Sequence, residues 1–201
     1  MEYEIDPKQL EAIRNLYDVV LHWYDNADAK ARVLLTLNGA LVSFLTSSIF
    51  IKTNDLREIL AGISPITLFL LGSMAILMAA SIVLSLACMW SRVKPPEEIQ
   101  SLLSDAKQSG NVDELYDSRL VMFFGHIKDL QLDRFRRTLL SLNTEEEVKA
   151  LAFQILQVSK NVFKKHSFVN IGFVSFGFSL LAFLCAGVIY IYDTLFRLSL
   201  V

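Results

Sequence analysis

The sequence predicts an all-α integral membrane protein with three transmembrane helices and a cytoplasmic helical layer. Three observations predict this class. The 201-residue chain is 53% hydrophobic yet 20% charged, with a mean hydropathy of +0.43, which is too apolar for an ordinary soluble domain and too charged to lie wholly in lipid. Its apolar residues are segregated into uncharged runs over residues 33–51, 66–90 and 167–192, close to or beyond the roughly 20 residues that cross about 30 Å of hydrocarbon. Between the runs, apolar residues recur at helical spacing. Hydrocarbon offers no partner for a backbone N–H or C=O, so isolated spans of this length must be helices.

Residues 1–32 are expected to form a cytoplasmic amphipathic helix leading into the membrane. Asp6-Pro7 is an N-cap followed by proline at the first helical position, with Gln9 placed for a capping box. Leu10, Ile13, Tyr17, Val20, Tyr24, Ala27 and Ala31 then fall three or four apart and mark a buried face. No breaker separates this helix from the first span, so the two are continuous. The segment is acidic and has no short apolar core with a cleavage site, so the first span is expected to be retained. Residues 52–65 make a short external loop, and Ser64-Pro65 repeats the cap-plus-proline signal before the second span at 66–90.

The cytoplasmic helical domain, 91–166, opens on the helix breaker Pro95-Pro96. Ile99, Leu102, Leu103 and Ala106 then share one face, and Ser109-Gly110 ends that helix. Asn111 and Glu114 cap the next, whose stripe is Tyr116, Leu120, Phe123, Ile127 and Leu130. The apolar phase slips by two residues at Leu132, Phe135, Leu139 and Leu142, which predicts a turn or kink near Leu130. Thr144 and Glu147 form a third capping box, and Val148, Leu151, Ile155, Val158 and Val162 lead unbroken into the third span at 167–192. One helix of roughly 45 to 50 residues, about 70 Å long, is expected to link the cytoplasmic layer to the membrane. Residues 193–201 are left as an external tail.

Basic residues near span ends favour the cytoplasm. Lys30, Arg32, Arg92, Lys94, Lys160, Lys164 and Lys165 outnumber Lys52, Arg57 and Arg197 on the opposite ends, so the N-terminus is read as cytoplasmic and the C-terminus as external. A net charge of −2 and a pI near 5.9 argue against a nucleic-acid partner. Cys88 and Cys185 lie inside spans, as small apolar fillers rather than a disulfide or metal pair. His22, His126 and His166 are too scattered for a metal site, and phosphate-loop and dinucleotide signatures are missing. Neither catalysis nor a cofactor is expected.

Small residues let span helices approach closely. Thr36, Ala40, Ser43 and Ser47 form such a stripe in the first span, Gly72, Ala75 and Ala79 in the second, and Gly172, Ser175, Ser179, Ala182 and Ala186 in the third. They imply tight packing within one chain or between chains of a homo-oligomer. Asn38 is the most polar residue of the first span and calls for a partner on another helix. No span carries Asp, Glu, Lys, Arg or His, which disfavours a proton-coupled transporter.

The densest cationic feature is Arg134-Phe135-Arg136-Arg137, with Arg119, His126 and Lys128 near it. Arginine's planar fork suits phosphate, and Tyr116, Phe124 and Phe135 could stack on a base. The alternative is a solvated face near lipid headgroups, with Asp133 pairing Arg137 at i,i+4. Candidate ligand residues are therefore Arg119, Arg134, Arg136, Arg137, Tyr116 and Phe135. The candidate packing residues are Asn38, Ser43, Ala75, Ala79, Ser175 and Ser179.

From Asp25-Asn26-Ala27-Asp28-Ala29-Lys30-Ala31 through Val33-Leu34-Leu35-Thr36-Leu37-Asn38-Gly39-Ala40-Leu41, the chain resembles the Pycsar effector transmembrane family. Phe123-Phe124-Gly125-His126-Ile127, Gln154-Ile155-Leu156-Gln157-Val158-Ser159-Lys160 and Lys164-Lys165 extend the resemblance over nearly the whole chain, in order. It implies a bacterial anti-phage effector of the inner membrane. A partner cyclase would make 3′,5′-cyclic CMP or cyclic UMP on infection, and the effector would respond by impairing the membrane and halting or killing the cell. The resemblance assigns no ligand residues. Two alternatives remain, a constitutive scaffold that binds a protein and a holin-like pore that needs no nucleotide.

Overall fold

Local capping chemistry sets where the helices of this chain begin. The computed structural model describes residues 6–50, 63–90, 97–109, 116–121, 124–128 and 130–198, and every regular element among them is helical. They are α1 (Pro7–Phe50), α2 (Pro65–Met89), α3 (Glu97–Ser109), α4 (Ser118–Val121), α5 (Phe124–Ile127), α6 (Leu132–Ser141) and α7 (Thr144–Leu198). Lys8 N donates to Asp6 Oδ1 at 3.0 Å to open α1, and Thr67 N donates to Ser64 Oγ at 3.3 Å to open α2. Both caps are those expected. Also as expected, α1 runs without a break from the amphipathic segment into the first apolar run.

Two local expectations are corrected. The capping box of α7 sits one residue earlier than Thr144 and Glu147: Glu146 N donates to Asn143 Oδ1 at 2.8 Å, and Asn143 N donates back to Glu146 Oε2 at 3.4 Å. Asparagine is as good a cap as threonine, and Glu147 is taken instead by Arg14 of α1, whose Nε donates to Glu147 Oε1 at 2.7 Å. Within the stripe expected over Tyr116 to Leu130 the described helical segments are α4 and α5, and Asp117 opens the first by accepting from Arg119 N at 2.8 Å. The break near Leu130 is present, since α6 begins at Leu132. Finally, α7 has 55 residues, more than the 45 to 50 expected, and continues through Leu198. Its length is about 80 Å at the α-helical rise.

Several expected features lie outside the described residues. These are Lys52 and Arg57 with the loop to residue 62, Arg92, Lys94, Pro95 and Pro96, the Gly110, Asn111 and Glu114 signals, Phe123, and the last three residues of the chain.

The chain divides into two compact units. A polar unit comprises Met1–Asn26 and Ser91–Phe163, and an apolar unit comprises Ala27–Trp90 and Lys164–Val201. Val20, Ile99, Ala106, Leu120, Ala150 and Val162 are buried in the polar unit, as an aqueous core requires.

In the apolar unit this order is inverted. The buried positions include Ala27, Ala31, Leu34 and Asn38 of α1, Thr67, Met74, Ser81, Ser85 and Cys88 of α2, and Lys165, Val169, Gly172, Ser179 and Ala186 of α7. They repeat at spacings of three, four and seven, the seam pattern of helices packed side by side. Facing outward are large apolar side chains, among them Phe69 (74% exposed), Ile76 (72%) and Val188 (68%). Small and polar inside with large and apolar outside is the arrangement lipid selects. Among the described residues, α2 and α7 are long and apolar enough to cross a bilayer. The run 33–51 forms the end of α1, and Ile51 lies outside the described residues.

Candidate functional site

Helical spacing, more than composition, decides which cations of the polar unit converge. On α6, Arg134, Arg137, Thr138 and Ser141 follow one another at i, i+3, i+4 and i+7 and so share a face. On α7, Glu146, Lys149, Phe153 and Leu156 stand at i, i+3, i+7 and i+10 and likewise share a face. Together with Tyr116, Asp117 and Arg119 they line a cavity of about 1310 Å³, larger than the roughly 300–1,000 Å³ of a typical small-molecule site. Four of the six sequence-predicted ligand residues therefore meet: Tyr116, Arg119, Arg134 and Arg137. Phe135 and Arg136 do not line the cavity. They stand about 100° and 200° around α6 from Arg134, so the helix itself turns them away. Phe135 is half-buried and Arg136 is exposed.

The cavity's charges are not equivalent. Arg119 donates from Nε to Asp117 Oδ1 at 2.9 Å and from Nη2 to Asp117 Oδ2 at 2.8 Å, a bidentate fork that commits two of its five N–H donors internally. Through that hydrogen bond the guanidinium holds the Asp117 carboxyl below its ordinary range, against the opposing pull of burial. The same bond pushes Arg119 up, so both stay ionised at neutral pH. Lys149 pairs with Glu145 at 2.7 Å on the exposed face of α7, and that partner raises its pKa.

Arg134 and Arg137 are differently placed. Arg137 Nε donates to the backbone oxygen of Asp133 at 3.3 Å, in place of the side-chain pair expected at i,i+4. Among the described residues neither arginine has a carboxylate partner. Thr138 Oγ1 and Ser141 Oγ donate to their own helix, to Arg134 O and Thr138 O. Among the described residues these two arginines are thus the lining arginines without a carboxylate partner, three residues apart on one face, with Tyr116 and Phe153 supplying aromatic surface. That set suits a small anion carrying a flat ring. Among the described residues no three His, Cys, Asp or Glu side chains converge as a metal site would need.

The six packing candidates divide in the same way. Asn38 and Ser179 are fully buried. Asn38 Nδ2 donates to Ser81 Oγ at 3.0 Å and to Leu34 O at 2.9 Å, giving the interhelical partner expected, while its Oδ1 is buried with no partner. Ser179 Oγ donates to Met74 O at 3.2 Å. Ser175 is half-buried, but Ser43, Ala75 and Ala79 are exposed in the single chain. The seam of α2 runs instead through Ser81 and Ser85, because their hydroxyls find partners inside, Ser85 Oγ donating to Ser81 O at 2.8 Å. The alanines have nothing polar to hide. Gly172 marks the closest approach: a Cβ there would stand 2.9 Å from Leu34 Cδ2 and 3.6 Å from Ser81 O.

Sequence reasoning missed one partly buried ion pair, Asp28 with Lys165. A signal was available, since Lys165 sits between Val162 and Val169 at seam spacing, and a cation in such a position needs a partner.

Comparison with curated proteins and with solved structures returns no match. A family model for the Pycsar effector protein domain, PycTM, matches residues 12–192, an extent that takes in the cavity, the seam and the Asp28–Lys165 pair. On that coverage the chain belongs to the Pycsar effector transmembrane family.

Proposed function

We propose that this chain is a nucleotide-gated membrane effector of anti-phage defence. A 3′,5′-cyclic CMP or cyclic UMP made by a partner cyclase enters the cavity of the polar unit, with its phosphodiester on Arg134 and Arg137 and its base against Tyr116 or Phe153. The observation that carries this reading is the pairing of two arginines, without a carboxylate partner among the described residues, with aromatic surface in one cavity of a Pycsar effector. A cyclic phosphodiester is a monoanion that a guanidinium fork can grip at two oxygens. Neither catalysis nor a cofactor enters the scheme.

Occupancy acts on the membrane through α7, which supplies cavity residues at Glu146, Lys149 and Phe153 and continues to Leu198. A ligand that favours one placement of these helices shifts the population of span packings. In this reading three spans, 33–51, 66–90 and 167–192, cross the bacterial inner membrane and put the termini on opposite sides, and the basic residues near the span ends favour a cytoplasmic N-terminus and an external C-terminus. Ser43, Ala75 and Ala79, exposed in one chain, are then available to lipid or to further copies in a homo-oligomer.

The test is the potential across proteoliposomes carrying the purified protein, with and without 3′,5′-cyclic CMP or cyclic UMP. Depolarisation that requires nucleotide supports the proposal. Depolarisation without nucleotide points to a holin-like pore. None under either condition returns the chain to a constitutive scaffold.

A further inference from the structure

Beyond the cavity, the apolar unit holds a partly buried ion pair between its first and third helical segments. Lys165 Nζ donates to both carboxylate oxygens of Asp28 at 2.7 Å, and the two side chains are 10% and 28% exposed. Ala27, Ala31, Cys88 and Val169 form the fully buried cluster beside it, with Phe168 packed against them. The thiol of Cys88 approaches Ala27 O at 3.8 Å. Both charges stand two or fewer residues inside the apolar unit, whose segments begin at Ala27 and Lys164.

Stability alone does not explain the pair. Apolar side chains of similar volume at such a site are often neutral or better, whereas removing one partner leaves an uncompensated buried charge. An ion pair differs from an apolar contact in what happens when it opens, because separated ions are solvated by water and lipid headgroups. It is therefore suited to a contact with two accessible states. The seam beside it is also incompletely satisfied, since the buried Asn38 Oδ1 lacks a hydrogen-bond partner. An alternative packing that admits a donor would relieve that cost.

We propose that Asp28–Lys165 is the latch that holds α1 and α7 together in the resting apolar unit, and that its opening releases the span packing. The inference rests on the reading that this unit damages the membrane. Both helices continue from the latch into the polar unit, α1 back to Pro7 and α7 back to Thr144, so either can transmit a displacement to it.

The experiment uses the full chain in proteoliposomes, with depolarisation and the membrane-inserted fraction measured for each variant. Asp28→Ala and Lys165→Ala should each depolarise without nucleotide. Asp28→Lys combined with Lys165→Asp should be silent again and respond to 3′,5′-cyclic CMP or cyclic UMP. Asp28→Leu combined with Lys165→Met should insert, stay silent and need about tenfold more nucleotide or fail to respond, because a closed apolar contact gains nothing from solvation on opening.

Single variants that insert normally and remain silent would overturn the latch, as would a swap as leaky as the singles. If the singles fail to insert, the two double variants decide: a silent, responsive swap supports the proposal, and a leaky apolar variant defeats it. Wild type that ignores both nucleotides defeats the nucleotide-gating reading instead. In that case leaky singles with a silent swap still establish the latch.

Discussion

Replacing Asn38, the most polar residue of the first span, should cost less than replacing the serine it contacts. Asn38 is fully buried and gives one hydrogen bond across the seam, to Ser81 Oγ at 3.0 Å. Its second bond goes to Leu34 O, a carbonyl that an α-helix already satisfies through the N–H four residues on. Interhelical hydrogen bonds in membranes contribute about 0.6 kcal/mol on average and up to about 1.7. Against that loss, Asn38→Ala removes the unpartnered Oδ1, an acceptor whose burial costs about 1–3 kcal/mol, and gains about 0.5 kcal/mol of helix propensity. Allowing for the small cavity left behind, the net change is within about 1 kcal/mol of zero. Ser81→Ala loses the same interhelical bond and strands Oδ1 as before, so it should destabilise by about 1 kcal/mol. Thermal unfolding in detergent resolves the difference, since 1 kcal/mol moves the midpoint by roughly 2–4 °C in a chain of this size. A loss of more than about 3 kcal/mol for Asn38→Ala, exceeding that for Ser81→Ala, would refute the reasoning. It would mean that Oδ1 has a partner, such as a buried water.

Three other outcomes are expected. Arg134→Ala and Arg137→Ala should each weaken cyclic CMP or cyclic UMP binding by about tenfold or more in calorimetry, as loss of a charge-assisted hydrogen bond implies; Arg136→Ala, off the cavity, should change it less than about twofold. Asp117 has a lowered folded pKa, so its stabilisation is complete above the ordinary carboxylate range and is lost as pH falls through the folded value. The midpoint gap between wild type and Asp117→Asn should be present at pH 7 and close in acid, staying small because the pair is about a third exposed and solvent-screened. Gly172→Ala should be tolerated, because its Cβ meets only the movable end of Leu34 at 2.9 Å; Gly172→Ile should lower the unfolding midpoint by about 4 °C or more, since further atoms press toward Ser81 O and Leu84 Cβ.

What could be read in advance divides by the range of the forces involved. Asp6-Pro7 and Ser64-Pro65 start helices because a cap is satisfied within a few residues, and the sequence prints both partners side by side. Asn143 and Thr144 are adjacent candidates for one cap. The tie is broken by Arg14, 133 positions away, which takes Glu147 and leaves Glu146 to complete the box. The cavity was legible as a cationic cluster, but clustering along the chain overcounts: Phe135 and Arg136 are neighbours of Arg134 in sequence and not around the helix. In α2 the small residues occupy two faces. Only Asn38, on another helix, selects Ser81 over Ala79 as the inward one. Lys165 reads in the sequence as an ordinary boundary charge and Asp28 only as part of a motif, and their pairing needs two helices to be set against each other.

The two units are held by different forces, and that difference bears on how a small signal could change the membrane. In the polar unit, burial of Val20, Ile99 and Leu120 is driven by water. Lipid gives the apolar unit no such drive, because the outward Phe69 and Ile76 are as well solvated by hydrocarbon as by a neighbouring helix. Cohesion there falls to close packing at Gly172 and to a few polar contacts: Asn38 with Ser81, Ser179 with Met74 O, and Asp28 with Lys165. The first two are each worth about a kilocalorie per mole. A ligand can shift a packing equilibrium by no more than its differential affinity for the two states, and moving a population from 1:99 to 99:1 takes about 5.5 kcal/mol. Two arginine–phosphate contacts at about 1.5–3 kcal/mol each would approach that scale if both were made in one state alone. A seam joined mainly by such contacts is within reach of a single nucleotide, where a hydrophobic core of equal length would not be.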